Sequence, residues 1–130
     1  MTETEMHPGM SQWSLIKLEL DRSAKYPLGS VSRAYFIRAP LDETGFIDSA
    51  RLSREPQSAA VRRFWPSQHD LSGYIVKSAS GWYFCDADAA GPDEWFASIP
   101  DASIMAGSVL EITERDGTVS TFRVAEITPF

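Results

Sequence analysis

The sequence predicts a mostly β domain, a small antiparallel β-barrel or sandwich of about seven strands with one short helix. Two observations carry this. Short runs of alternating apolar and polar residues recur at fairly regular spacing, with Gly, Pro, Asp and Ser clusters between them. The chain also ends in a hairpin whose register can be argued from its side chains. Closing such a sheet would remove exposed edges, which are a liability in a strand-rich chain.

The hairpin runs from Gly107 to Ile127 around Arg115-Asp116-Gly117. With a bare two-residue turn at Asp116-Gly117, Leu110 and Ile112 would share a face with Arg123 and Thr121, and Phe122 and Val124 would lie on the other. A three-residue loop with Gly117 left-handed shifts the pairing by one. Leu110 then faces Phe122, and Leu110, Ile112, Phe122 and Val124 lie together. A one-residue slip turns every side chain over, so the apolar pattern selects the bulged turn.

Residues 1 to 12 read as a disordered lead-in to a single domain over 13–130, because nothing in them can be buried. Ile16, Leu18 and Leu20 alternate with Lys17 and Glu19, which gives a first strand over Trp13–Leu20. Asp21 to Ser32 is a loop containing Pro27 and Gly29. A second strand, Arg33–Ala39, is expected to stop at Pro40. Asp48 is a good N-cap, and Ser49-Ala50-Arg51-Leu52 supplies about a turn of helix before Pro56 forbids more. Strands follow at Val61–Trp65, Tyr74–Lys77 and Trp82–Asp86. The last two form a hairpin in which a left-handed Gly81 would pair Val76 with Phe84. Asp86 to Ala106 has no clear period, and Glu94–Ile99 fits either a strand or one helical turn.

The length of 130 residues suits one domain with a real core. A net charge of −6 argues against general attraction to nucleic acid or anionic membrane. The single cysteine, Cys85, cannot form an internal disulfide, which suits a reducing compartment. No apolar run is long enough to span a bilayer, and the acidic N-terminus lacks the features of a signal peptide. The expected address is cytoplasmic.

The chemistry-bearing residues are few. Arg62, Arg63 and Trp65, with Tyr74, Trp82 and Tyr83 near in sequence, offer guanidinium and aromatic faces for an anionic ligand or single-stranded nucleic acid. On a strand Arg62 and Arg63 point to opposite faces, so one is expected to be salt-bridged instead. Trp82 is expected in the core. Trp13, Trp65 and Trp95 stand at strand edges, where an amphipathic ring can meet a partner, though partial burial is the commoner fate. His69, Asp70 and Cys85 are the only conventional acid–base or nucleophilic parts. Catalysis would need them to converge, and a solvated His and a packed thiol are the plainer reading.

The acidic loop Asp86 to Glu94 places Asp86, Asp88 and Gly91 like a calcium loop, but Ala97 stands where the bidentate Glu is required. An irregular site through Asp86, Asp88, Asp93 and Glu94 is the remaining metal reading, against a plain solvated loop. No HExxH, CxxC, GxSxG, P-loop or dinucleotide fingerprint occurs. No catalytic residue, metal ligand or cofactor is therefore assigned.

Pro27-Leu28-Gly29-Ser30, Ala39 to Asp48, Val61 to Trp65 and the Gly107–Ile127 pattern together resemble a set of short, uncharacterised bacterial proteins. The likeness covers about residues 14–128. It implies a single-domain protein and carries no activity, cofactor or site residue.

The sequence thus points to a non-catalytic cytoplasmic binding or interaction module, with Arg62, Arg63, Trp65, His69 and Trp95 as contact candidates. Its partner would be a protein or a small molecule, with a homodimer left open and membrane and nucleic acid disfavoured. The alternatives are a small enzyme or sensor with a cleft near His69 and Cys85, and a domain stabilised by metal through the Asp86–Glu94 loop.

Overall fold

The structure, a computed structural model, describes residues 11–88 and 94–129. Its strands are β1 (Ser11–Leu20), β2 (Ser30–Asp42), β3 (Ala60–Phe64), β4 (Leu71–Lys77), β5 (Gly81–Asp86), β6 (Trp95–Pro100), β7 (Val109–Glu114) and β8 (Val119–Pro129). Each pairs antiparallel with its neighbour in sequence, and β8 returns to β1 to close a barrel. The architecture is the barrel rather than the sandwich. It has eight strands rather than about seven, the added one being β6, the stretch whose sequence fitted strand and helical turn equally. No helix among the described residues is long and apolar enough to cross a membrane.

The alternation seen in the sequence sorts side chains between the inside and outside of the barrel. Ile16, Leu18, Tyr35, Ile37, Val61, Phe84, Ala97, Ile112, Phe122 and Val124 fill the interior and are essentially inaccessible. The outer surface carries charge. Glu19 there bridges Lys17 and Arg123 at 3.2 Å each, holding together three positions on the β1 and β8 strands.

The terminal hairpin has the expected register. Leu110 pairs with Phe122, the Glu114 N–H donates to Thr118 O at 2.8 Å, and Gly117 has φ +93°. The β4–β5 hairpin differs by one residue: Ile75, not Val76, faces Phe84. Gly81 is required for space rather than for a left-handed turn. A Cβ there would lie 2.0 Å from the Ile99 carbonyl oxygen, so only glycine lets β5 approach β6 this closely.

Pro40 does not end the second strand, which runs on to Asp42. Pro40 pairs with Trp13 on β1, and its carbonyl accepts from Asp48 N on the other side. The nitrogen and carbonyl of one strand residue point the same way, so the missing N–H faces the edge away from β1 and interrupts no β1–β2 bond. Likewise β1 begins at Ser11, so Ser11 and Gln12 belong to the barrel rather than to a lead-in. Residues 1–10 lie outside the described part.

The two ends of the barrel differ. At the end where β2 finishes, the chain folds back through Ile47, the helix α1 (Ser49–Arg54), a 3-10 turn at Pro56–Ser58 and Ala59. Asp48 caps α1 by accepting from Arg51 N at 3.1 Å. Ile47, Leu52, Ala59 and Ile104 are buried there, and Ile104 N donates to Gly45 O at 2.8 Å. This end is sealed. Among the described residues, the opposite end, where β1, β3 and β7 finish, is covered by loop 21–29 and by short turns.

Candidate functional site

At that less covered end, parity brings a polar set onto the inner face of the barrel. Arg33 and Tyr35 alternate on β2 in phase with buried Ile37. Arg63 and Trp65 follow buried Val61 on and just beyond β3, and Glu114 follows Ile112 on β7. Tyr35 and Arg63 are direct cross-strand partners.

Loop 21–29 then folds over the opening. Asp21 N bonds Thr121 O, and Gly29 N bonds Tyr26 O, both at 2.9 Å. The turn holds Tyr26 against the core. Between this loop and the β7–β8 turn lies a cavity of about 470 Å³, a size that suits a small ligand. Its wall includes Leu20, Arg22, Lys25, Tyr26, Trp65 and Glu114, with hydroxyls from Ser120 and Thr121.

Trp65 is the centre of the arrangement. Its ring lies 6.3 Å from Tyr35 and 6.1 Å from Phe122. The Arg63 guanidinium stands over it at 5.2 Å and that of Arg33 at 6.0 Å, and Arg33 also stacks on Tyr26 at 4.3 Å. Stacking on aromatic faces suits a guanidinium, because it leaves the edge able to hydrogen-bond. Arg63 spends one nitrogen on Gln68 Oε1 at 3.0 Å, and Arg33 Nη1 donates to Ser30 Oγ at 3.3 Å. However, the Nε groups of Arg33 and Arg63 and the Tyr35 hydroxyl are buried without a hydrogen-bond partner among the described residues.

Burial drives the Tyr35 phenol well above its ordinary range; nearby Arg63 opposes that rise and Glu114 adds to it. The phenol is therefore protonated; Arg63 opposes the rise through its charge and through a side-chain hydrogen bond to the phenol oxygen that falls short of full hydrogen-bond geometry, so the phenol hydrogen itself is without an acceptor. Buried polar groups in folded proteins are ordinarily satisfied. Of the six buried side-chain atoms without a partner among the described residues, these three are grouped at one opening, and Ser11 Oγ, Trp13 Nε1 and Trp82 Nε1 lie elsewhere.

The sequence candidates divide around this site. Trp65 lines the cavity, and Arg63, like Arg33 and Tyr35, stands behind that wall against Trp65 without lining it. Arg62 faces the opposite way from Arg63, as strand parity requires, and is the salt-bridged one of the two: it pairs with Asp70 at 3.6 Å and covers Phe64 at 4.9 Å. Trp95 lies outside the barrel, stacked on Tyr83 at 4.7 Å and 17°, with Arg115 at 4.9 Å over it. It borders a separate groove of about 300 Å³. That groove lies where β6 and β7 part after pairing only at Ala97–Glu114 and Ser98–Thr113, the next β6 position toward β7 being Pro100, which has no N–H.

His69 is exposed and lines neither cavity, and Asp70 is taken by Arg62. Cys85 is buried, and burial raises its thiol above the usual range, with a hydrogen bond from Tyr74 opposing the rise. It lines neither cavity. Trp82 is buried as expected; Trp13, expected at a strand edge and only partly buried, is in the core as well.

In the acidic loop, Asp86 Oδ1 accepts from Asp88 N at 2.9 Å. No group of three potential metal ligands occurs among the described residues. Asp93 and the rest of 89–93 lie outside them.

Sequence reasoning missed Arg33, Tyr35, Tyr26 and Glu114. A signal was present for three of these, since Arg33 and Tyr35 are in phase with Ile37 and Ala39 on β2, and Glu114 is in phase with Leu110 and Ile112 on β7. Tyr26 gave none, because its placement depends on the fold of loop 21–29. No protein-family model, curated protein or solved structure matches the chain.

Proposed function

We propose that this protein is a non-catalytic binding module whose ligand site is the less covered end of the barrel. One observation carries the reading: the buried, unpartnered Arg33 Nε, Arg63 Nε and Tyr35 hydroxyl beside a cavity walled by Tyr26 and Trp65. A barrel interior held only for stability would place apolar groups there, because unpaired buried donors cost stability. Donors held without acceptors are what a preorganised binding site requires. The dispersal of His69, Asp70 and Cys85 favours binding over catalysis. A cytoplasmic setting suits a chain whose single cysteine is buried and forms no disulfide.

A thermal-shift screen of the full chain against metabolites, nucleotides, short oligonucleotides and metal ions tests this. A compound that binds only the folded state must raise the melting temperature. The expected result is a rise of several degrees with a small molecule, abolished by Trp65→Ala. A flat screen on a cooperatively melting protein would overturn the small-ligand reading.

A further inference from the structure

We infer that the barrel mouth is built for a small aromatic oxyanion, its phosphate or carboxylate held by Arg63, Arg33 and the Tyr35 hydroxyl and its ring laid against Trp65. The inference rests on the binding-module reading above and specifies the ligand class for that site.

The donor inventory sets the charge. A guanidinium carries only donors, and the Tyr35 phenol stays protonated and offers its hydrogen. All three unpartnered buried groups at the mouth thus require acceptors. A neutral ligand with one carbonyl can satisfy one or two of them. A phosphate or carboxylate presents several lone pairs on adjacent oxygens and suits guanidinium recognition.

The wider electrostatics agree. Arg22 and Lys25 line the cavity against the single carboxylate of Glu114, and Arg33 and Arg63 add their charge from behind the aromatic wall, over Tyr26 and Trp65. A local excess of positive charge in a chain of net charge −6 is a feature of this end rather than of the protein as a whole. It would draw an anion towards the cavity.

The aromatic part follows from the wall. Trp65 and Tyr26 both line the space, and the Arg33 guanidinium lies over each of them, at 6.0 Å and 4.3 Å. A flat ring entering beside Trp65 would extend that stack. Leu20 supplies an apolar patch in the same lining. The volume of about 470 Å³ sets the scale to a compound of metabolite size rather than a polymer.

The test uses three probes on the full chain: phenyl phosphate, inorganic phosphate and benzyl alcohol. Binding is followed by calorimetry and by the indole N–H resonance of Trp65, assigned through Trp65→Phe. The expected result is that phenyl phosphate binds at least about tenfold more tightly than either of the others, since both a charge-assisted contact and a stacked ring are at stake. Arg63→Gln is expected to weaken it by about tenfold or more. Arg33→Lys keeps the charge but removes the Nε donor. It is expected to weaken binding while circular dichroism and the melting transition stay native, which separates loss of the site from loss of the fold.

Parity between phenyl phosphate and benzyl alcohol would overturn the anion assignment and leave the mouth as a site for neutral ligands. Parity with inorganic phosphate would overturn the aromatic assignment. If none of the three moves the Trp65 resonance while a compound from the wider screen still does, the oxyanion inference falls and the binding-module reading stands.

Discussion

Tyr35→Phe removes one oxygen atom from the centre of the account. The ring of Tyr35 is fully buried, packed edge-on against Phe122 at 5.2 Å and tilted against Phe84 at 5.8 Å. Phenylalanine keeps all of that packing. Only the hydroxyl is lost, and it has no hydrogen-bond partner among the described residues. Burying an unpaired hydroxyl costs about 1–3 kcal/mol in proteins. Its removal should therefore stabilise the free protein by about 1–2 kcal/mol. For a domain of this size that is a rise in melting temperature of roughly 3–8 °C. Urea unfolding followed by tryptophan fluorescence measures it, with an unchanged m-value showing that only stability has moved. The same variant should bind the mouth ligand more weakly, so stability and affinity change in opposite directions. A loss of about 1 kcal/mol or more would refute the reasoning. It would mean that the phenol is already satisfied in the free protein, by Arg63 or by water, and is not held for a ligand.

Other substitutions probe the rest of the structure. Gly81→Ala places a Cβ 2.0 Å from the Ile99 carbonyl, a backbone clash that should cost about 3 kcal/mol or prevent folding, whereas Gly107→Ala meets no atom within 4 Å and should cost only about 1–2 kcal/mol for its φ of +87°. Paired urea melts distinguish the two. Glu19→Gln breaks the contacts to Lys17 and Arg123 on a largely buried carboxylate and should cost about 1–2 kcal/mol, with a double-mutant cycle against Arg123→Ala showing coupling. Asp48→Ala removes the α1 cap and should cost about 1 kcal/mol by the same assay. Burial raises the Cys85 thiol, so the folded state holds its proton at a pH where the unfolded chain has released it. The stability this group contributes is complete below the unfolded value of about 8.5 and is lost as pH rises through the higher folded value. Cys85→Ala should flatten that alkaline decline, and a thiol reagent at pH 8 should react quickly only after urea is added.

Much of the barrel was legible because its determinants are local. The Leu110-Ile112-Phe122-Val124 pattern admitted one register for the final hairpin, and Asp48 with Pro56 bounded the helix. The errors came where the deciding contact is distant in sequence. Gly81 resembled a left-handed turn glycine, yet its reason is the Ile99 carbonyl on the next strand. Pro40 resembled a strand end, yet its free side faces the edge away from β1. Trp95–Pro100 showed no decisive period because its strand carries a bulge against β5 and parts early from β7.

The candidate site was half legible. Arg63 and Trp65 stood out by residue type, and the opposite facing of Arg62 followed from strand parity. Their company could not be read in the same way. Arg33, Tyr26 and Glu114 reach the same opening only after β8 has closed on β1 and loop 21–29 has folded over the end. His69 and Trp95 were chosen for their chemistry alone, and the fold leaves one exposed and the other stacked on the outer wall.

The most direct test of the central claim is a map of amide and indole chemical shifts on the ¹⁵N-labelled chain as phenyl phosphate is added. The account predicts saturable changes confined to Leu20–Tyr26, Arg33–Tyr35, Arg63–Trp65 and Glu114–Thr121, including the indole of Trp65. Changes centred on the sealed end around Ile47 to Ala59, or on the Tyr83–Trp95 groove with the mouth unmoved, would contradict it.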